Sequence, residues 1–305
     1  MRSSPAVSVV IPTRGRATFV SKAIASVLDQ RYDGEIECLV VFDQSDPFPL
    51  TAPASAHRNL RVLKNKRTPG LAGARNTGAL AAKGELLAFC DDDDEWLPDK
   101  TRLQVEVLLT DARFDVATCG LYVAYGRRRV CRIPSHEVIT HRNFLRSRMM
   151  EVNPCTILVR RNAFLNVIGL VDEMIPGGHA EDYEWILRAS RTKSIIAVRK
   201  PLVRIYWHPE SWFAGRWRSL ASALTYILEK YPEIRTEPQG LARIYGQLAF
   251  AYATLGESAV SVAWSQRSLS ANWLEPRAYA SFLVAMGVID SKTIMRLLHF
   301  VGRGV

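Results

Sequence analysis

The sequence predicts an α/β protein, with a mostly parallel sheet carrying helices on both faces and an all-α appendage at the C-terminal end. Three observations carry this reading. Between residues 7 and 120, short β-branched runs alternate with amphipathic segments, as strands joined by crossover helices do. Several apolar runs end in polar loops, "PTRGR", "DQSD" and "DDDDEW", and parallel sheets gather ligands at such carboxyl ends. Beyond about residue 215 no strand pattern remains. The boundaries that follow are 1–214 for the α/β unit and 215–305 for the helical region.

Taken in order, "VSVVI" is the first strand. In "TFVSKAIASVLDQ", Phe19, Ala23, Ile24, Val27 and Leu28 fall on one helical face, with Thr18 as N-cap. "IECLVVF", "LRVL" and "ELLAFC" supply further strands, and "LAGARNTGALAA" and "PDKTRLQVEVLL" supply helices. From about 121 to 160 the pattern loosens, and residues 127–148 carry seven arginines against one acid, Glu137. From 161 to about 206 a helix is followed by the glycine-rich loop "IPGGHAED", the helix "YEWILRAS" and two short strands, "IIAV" and "VRIY". The remainder reads as helices joined at Gly256 and near Pro276, with only a loose tetratricopeptide-like spacing.

With 305 residues, 48% of them hydrophobic, the chain can bury a full core. A formal charge of +10 implies an anionic partner: a nucleotide, a nucleic acid or an anionic membrane surface. No zinc-finger spacing, basic zipper or basic run interleaved with aromatics is present, so nucleic acid is not the expected partner. Five widely spaced cysteines without a CxxC fit small buried residues in a reducing compartment. The apolar run before Pro12 is too short for a signal peptide, and no 18-residue apolar span follows. The expectation is a cytoplasmic protein, with peripheral contact at the inner face of the membrane left open.

The stretch "LLAFCDDDDEWLP" holds the strongest chemical signal. Four consecutive carboxylates raise one another's pKa, so they are tolerated only in water or facing a cation. Asp91 and Asp93, one residue apart, can aim at one hard ion, and Mg²⁺ or Mn²⁺ takes one or two protein carboxylates beside phosphates and water. The same acids also suit a helix start, where the dipole favours them, and Asp94 or Glu95 can serve the helix while Asp91 to Asp93 serve the metal. "GGHAEDYEWILR" brings Glu181 and Asp182 to a first helical turn. A carboxylate there on a glycine hinge can act as a general base, although plain helix-start acids look alike. Thr13 and Asp43 end adjacent strands where a nucleotide base would lie, and Arg75 falls near the same edge; turn formers and surface arginines give the same pattern. His208 in "IYWHPESW" is a candidate to complete a metal shell or touch a diphosphate, roles most single histidines beside a proline turn do not have.

"VSVVIPTRGR", "SVLDQ", "GLAGARNTG", "LLAFCDDDDEWLP" and "EDYEWILR", in this order, resemble the family 2 glycosyltransferases of the GT-A fold over about residues 6 to 210. The resemblance implies inverting, metal-dependent transfer of one sugar from a nucleotide diphosphate sugar to a hydroxyl on a saccharide or lipid-linked acceptor, in cell-surface polysaccharide or glycolipid assembly. It makes Asp91 and Asp93 the DxD pair for metal (Mn²⁺ or Mg²⁺) and diphosphate, with Asp92 accessory and His208 a further metal candidate. Asp182 becomes the catalytic base. Pro12, Thr13, Arg16, Asp43, Arg75, Asp91 and Asp92 form the donor-binding set, and Glu181 and Trp185 lie on the acceptor side. Phe42 and Asp43 stand where the family has an acidic pair, Gln44 replaces a common glycine, and the QxxRW motif of processive synthases is absent. The arginine-rich 127–148 segment is a pyrophosphate-lipid or membrane contact, or else a solvated basic flap. The terminal "TIMRLLHFVGRGV" is a second surface contact or packs on the appendage.

Two other classes compete. A nucleotidyltransferase would carry a glycine-rich, lysine-bearing loop after the first strand, but "PTRGR" has one glycine and no lysine. A non-catalytic nucleotide-binding or scaffold protein acting through 215–305 would not need the acidic run.

Overall fold

The computed structural model describes residues 4–51, 55–126, 128–207 and 215–300, the last two by backbone alone. His208 lies outside the described residues. Among them the strands form one ten-stranded sheet, ordered β3-β2-β1-β4-β9-β6-β10-β5, with β7 beside β6 and β8 beside β10.

One half is parallel. β1 (Val7–Thr13) lies between β2 (Ile36–Phe42) and β4 (Leu86–Phe89), and β3 (Arg58–Lys64) flanks β2. Every residue of β1 is buried, as a strand covered on both faces requires. The register sets Val7 against both Ile36 and Leu86, so Thr13, Asp43 and the acidic run emerge at one edge. The chain travels outward through β1, β2 and β3 and returns to the other side for β4, so the topological switch point lies between β1 and β4.

α1 (Ala17–Leu28) covers one face through Val20, Ala23, Ile24, Val27 and Leu28. Arg16 holds its N-cap position and Thr18 falls inside the first turn, which corrects the expected cap. The buried stripe uses Val20, whereas Phe19 is 39% exposed with its ring 5.4 Å from the Arg16 guanidinium. On the opposite face lies α2 (Leu71–Ala81). A Cβ at Gly78 would come within 2.4 Å of Val10 Cγ1, so glycine allows α2 to lie against β1 and carry Arg75 to the sheet edge.

The other half is mixed. β6 (Val116–Tyr125) and β7 (Arg128–Arg132) make a hairpin, and β9 (Leu158–Arg160) joins the halves antiparallel to both β4 and β6. The loosened pattern of 121–160 is therefore this hairpin, β8 (Val138–Ile139), α4 (His141–Arg146) and a 3₁₀ turn at Pro154–Thr156. β10 (Ile195–Tyr206) is one strand where the sequence reads as two, because its pairing with β6 shifts register on either side of Pro201. Proline has no N–H for the ladder, so a bulge forms there. β5 (Glu95–Trp96), α3 (Lys100–Thr110), α5 (Arg161–Ala163) and α6 (Glu181–Thr192) complete this half.

Five helices follow: α7 (Trp217–Lys230), α8 (Pro238–Thr254), α9 (Ser258–Ala271), α10 (Pro276–Ala285) and α11 (Ser291–Phe300). Gly256 turns the chain between α8 and α9 with φ +78°. One core cluster unites Val10 and Leu39 of the sheet with Leu187 of α6, Leu224 of α7 and Leu248 of α8. α8 lies hard against α4, since a Cβ at Gly240 would be 1.7 Å from the Leu145 carbonyl oxygen. Cys38, Cys90, Cys119 and Cys155 are buried and Cys131 is exposed, all as free thiols. Among the described residues no helix is long and apolar enough to cross a membrane.

Candidate active site

Asp43 follows β2 directly. Its Oδ1 accepts a hydrogen bond from Asn65 and its Oδ2 accepts from Gln44 and the Gly70 backbone N–H. Burial opposes its charge, but those hydrogen bonds and the Arg14 guanidinium outweigh it and hold the carboxyl below its usual range. Gln44, where the family has glycine, adopts φ +53°. At the end of β1, Pro12 is buried and the Thr13 hydroxyl donates to Asp92 Oδ2 at 2.6 Å. Arg16 reaches back from the start of α1 to pair with Asp92 and, at 3.0 Å, with Asp93. Thr13 and Arg16 thus brace the acidic loop from the neighbouring strand.

The four aspartates divide in two ways. Asp92 and Asp94 are buried, whereas the Asp91 and Asp93 side chains remain 32% and 22% exposed. Asp94 anchors the loop, accepting the Tyr206 backbone N–H through Oδ1 and the Cys155 thiol through Oδ2. Asp91, Asp94 and Cys155 offer ligand atoms within 4.8 Å of one another. Burial pushes the Cys155 thiol well up, so it stays protonated, and a hard ion prefers oxygen. Asp94 and Cys155 therefore satisfy each other, and the more exposed carboxylates of the run, Asp91 and Asp93, are paired with Arg75 and Arg16 respectively. Burial and the Asp91 charge push Asp93 up against the pull of Arg16, a strain that a cation would relieve. The donor set fits Mn²⁺ or Mg²⁺.

Arg75 connects this loop to the second carboxylate pair. Only 3% exposed, it donates from Nη2 to Asp91 Oδ1 and from Nη1 to Glu181 Oε1, both at 2.8 Å. Glu181 is buried against it, pushed up by burial and by the adjacent Asp182 charge. Asp182 points the other way. Its side chain is 15% exposed, and Arg148 Nη2 donates to both carboxylate oxygens, at 2.9 and 2.8 Å. Burial would raise Asp182, but the Arg148 guanidinium overrides that and holds it below the usual carboxylate range. Ala180, just before the pair, is left-handed at φ +59°. A general base gains from a raised pKa, whereas the Asp182 carboxyl is lowered.

Pro12, Thr13, Arg16, Asp43, Arg75, Asp91, Asp92, Asp93, Glu181 and Asp182 lie along one run of neighbouring contacts at the carboxyl ends of the parallel strands. Trp185 does not: its indole N–H donates to the Gly169 carbonyl oxygen, and its ring lies 5.4 Å from Phe164 within the core. Arg148 was visible in sequence only as one of seven clustered arginines. Its neighbours Arg142 and Arg146 pair with Glu237 before α8, so part of this basic segment docks the helical region.

The family model for glycosyl transferase family 2 matches residues 8–167. The Escherichia coli UDP-Glc:alpha-D-GlcNAc-diphosphoundecaprenol beta-1,3-glucosyltransferase WfgD is 26% identical over 192 residues, which are 63% of this chain and 72% of that protein. S. aureus TarS 1-349 with UDP-GlcNAc superposes with a TM-score of 0.60 at 17% identity, covering 92% of this chain and 91% of TarS. The mannosyltransferase PcManGT from Pyrobaculum calidifontis, with GDP-Man and Mn²⁺, gives 0.58 at 17% identity over 97% and 88%. At these identities the two structures speak for the fold. With its sheet, its strand-end carboxylates and a family match across more than half its length, the chain belongs to glycosyl transferase family 2 and is a glycosyltransferase.

Proposed function

We propose that the protein moves a single sugar, with inversion, from a nucleotide diphosphate sugar to an acceptor hydroxyl. The observation that carries this reading is the Arg75 bridge, which joins Asp91 of the acidic loop to Glu181 of the Asp182 helix. A divalent cation held by Asp91 and Asp93 would neutralise charge on the departing diphosphate. Asp43 and Thr13 end the strands on which base and ribose would rest, with Pro12 and Arg16 beside them. Asp182 takes the acceptor proton as the new C1–oxygen bond forms, while the C1–phosphate bond breaks and its electron pair leaves with the nucleotide. Residues 1–214 carry this chemistry and 215–305 buttress it.

The names of similar proteins support the substrate class: WfgD uses UDP-Glc, TarS was solved with UDP-GlcNAc, and PcManGT with GDP-Man and Mn²⁺. The diphosphoundecaprenol acceptor of WfgD supports a role in cell-surface polysaccharide or glycolipid assembly, at the inner face of the membrane. The test is a turnover screen of UDP- and GDP-sugars with Mn²⁺, followed by NMR of the product anomer. An α-linked donor yielding a β-linked product, with turnover lost on chelation, is the expected result; a retained anomer would remove Asp182 as the base.

A further inference from the structure

A cavity of about 60 Å³ opens beside Asp182, small against the roughly 300–1,000 Å³ of a site that encloses a whole ligand. Arg132, Arg148, Asn153, Asp182 and Trp207 supply its polar edge. Two guanidiniums thus line the cavity with one carboxylate, and Arg148 is the one paired with it. The Arg148 guanidinium carbon lies 5.4 Å from the Tyr183 ring, and that of Arg132 lies 5.8 Å from the Trp207 ring, so aromatic faces support both cations.

The backbone marks the same place. Among the described residues three non-glycines have positive φ: Gln44, Met149 and Ala180. Met149 follows Arg148, and Ala180 precedes Glu181 and Asp182. Such conformations cost about 1 kcal/mol or more, persist where the surroundings enforce them, and cluster at functional sites. Two strained turns therefore deliver the two members of one ion pair from separate elements.

That pair leaves Asp182 poorly disposed to accept a proton. Oδ1 receives the Tyr183 backbone N–H at 2.7 Å and Arg148 at 2.9 Å, and Oδ2 receives Arg148 at 2.8 Å. A neutral acceptor brings nothing to draw Arg148 off, whereas a phosphate offers the forked guanidinium a competing partner.

We propose that this cavity recognises a phosphate or diphosphate group carried by the acceptor close to its attacking hydroxyl. Arg132 and Arg148 are the specificity-determining residues. Arg148 moves from Asp182 to the anion, so the base is released only when a charged acceptor is seated. The inference rests on Asp182 being the acceptor-side base.

The experiment uses the full chain with UDP present. Calorimetry compares octyl N-acetylglucosaminide with octyl N-acetylglucosaminyl diphosphate, a pair differing in the anion; the sugar is incidental to the preference. The wild type should bind the diphosphate at least about tenfold more tightly. Arg132→Gln and Arg148→Gln should each erase most of that preference with UDP affinity unchanged, and Arg148→Lys should restore part of it. Equal binding of both compounds by the wild type overturns the proposal, as does a preference that survives both glutamine variants. Should Arg148→Gln fail to fold, Arg132→Gln decides alone. An anion preference without any nucleotide-sugar turnover upholds the cavity and rejects the transfer reading; turnover without the preference does the reverse.

Discussion

On the side proposed to hold the donor, Thr13 ends one parallel strand, Asp43 and the aspartates 91 to 93 come just after two others, and Thr13 and Asp43 have partners in neighbouring loops along the same edge. On the side proposed to hold the acceptor, Arg148 comes from the loop after α4, Asp182 from the first turn of α6 and Trp207 from the end of β10. The donor half is positioned by strand register, which the β-branched runs impose within a few residues. The acceptor half is positioned by packing between segments distant in sequence, including the helical region. Substitutions on the two sides should therefore fail differently: donor-side changes in nucleotide and metal affinity, acceptor-side changes in turnover and acceptor selectivity.

The largest effect is expected at the acceptor side. Asp182→Asn should lower kcat by about 10²–10⁴-fold, the usual contribution of a general base, and leave nucleotide affinity intact. Steady-state kinetics beside UDP calorimetry checks this; near-normal turnover would take Asp182 out of the reaction.

Arg75 serves both halves. Arg75→Met leaves the buried Glu181 carboxyl without its cation and strips Asp91 of its partner, and should cost about 3–5 kcal/mol in urea unfolding. A loss below roughly 1 kcal/mol, the level of a surface pair, would mean the bridge does not hold the halves together.

The division between the halves also marks what was legible. The acidic run and Asp43 are local signals, each a polar cluster ending an apolar segment, the Glu181–Asp182 pair is one after a glycine-rich loop, and the fold class follows from the alternation of strand and helix patterns. α1 was found, but its start at Ala17 rotates the buried stripe onto Val20 and leaves Phe19 and Thr18 outside. Pro201 splits one bulged strand into two apparent ones. Trp185 reads as a site residue because it follows Asp182 by three positions, yet that places it on the core face of α6. The arginines of 127–148 were opaque because their partners are far along the chain: Arg142 meets Glu237, 95 positions on, and Arg148 meets Asp182, 34 positions on. No local pattern encodes such pairs.

Smaller changes sharpen the contrast. Gly240→Ala forces a methyl group toward the Leu145 carbonyl and should cost about 1–3 kcal/mol. Because α4 leads into Arg148, acceptor KM should rise while nucleotide affinity holds; equal loss on both sides would erase the distinction.

The smallest effect concerns pH. Arg148, Arg75, Glu181 and Tyr183 surround Asp182, and Arg148 is the strongest influence holding its carboxyl down. Its contribution to stability is present above the ordinary carboxylate pKa and fades as pH falls through the lowered value. Arg148→Gln should move the acid limb of kcat/KM up; a limb that stays in place, or moves down, would contradict this electrostatic role.

The most direct test is nucleotide calorimetry on wild type, Asp93→Asn and Asp182→Asn, with Mn²⁺ and with EDTA. UDP or GDP should lose at least about tenfold in affinity on chelation and in Asp93→Asn, and nothing in Asp182→Asn. Binding indifferent to both EDTA and Asp93→Asn would contradict a cation gripped at the acidic loop.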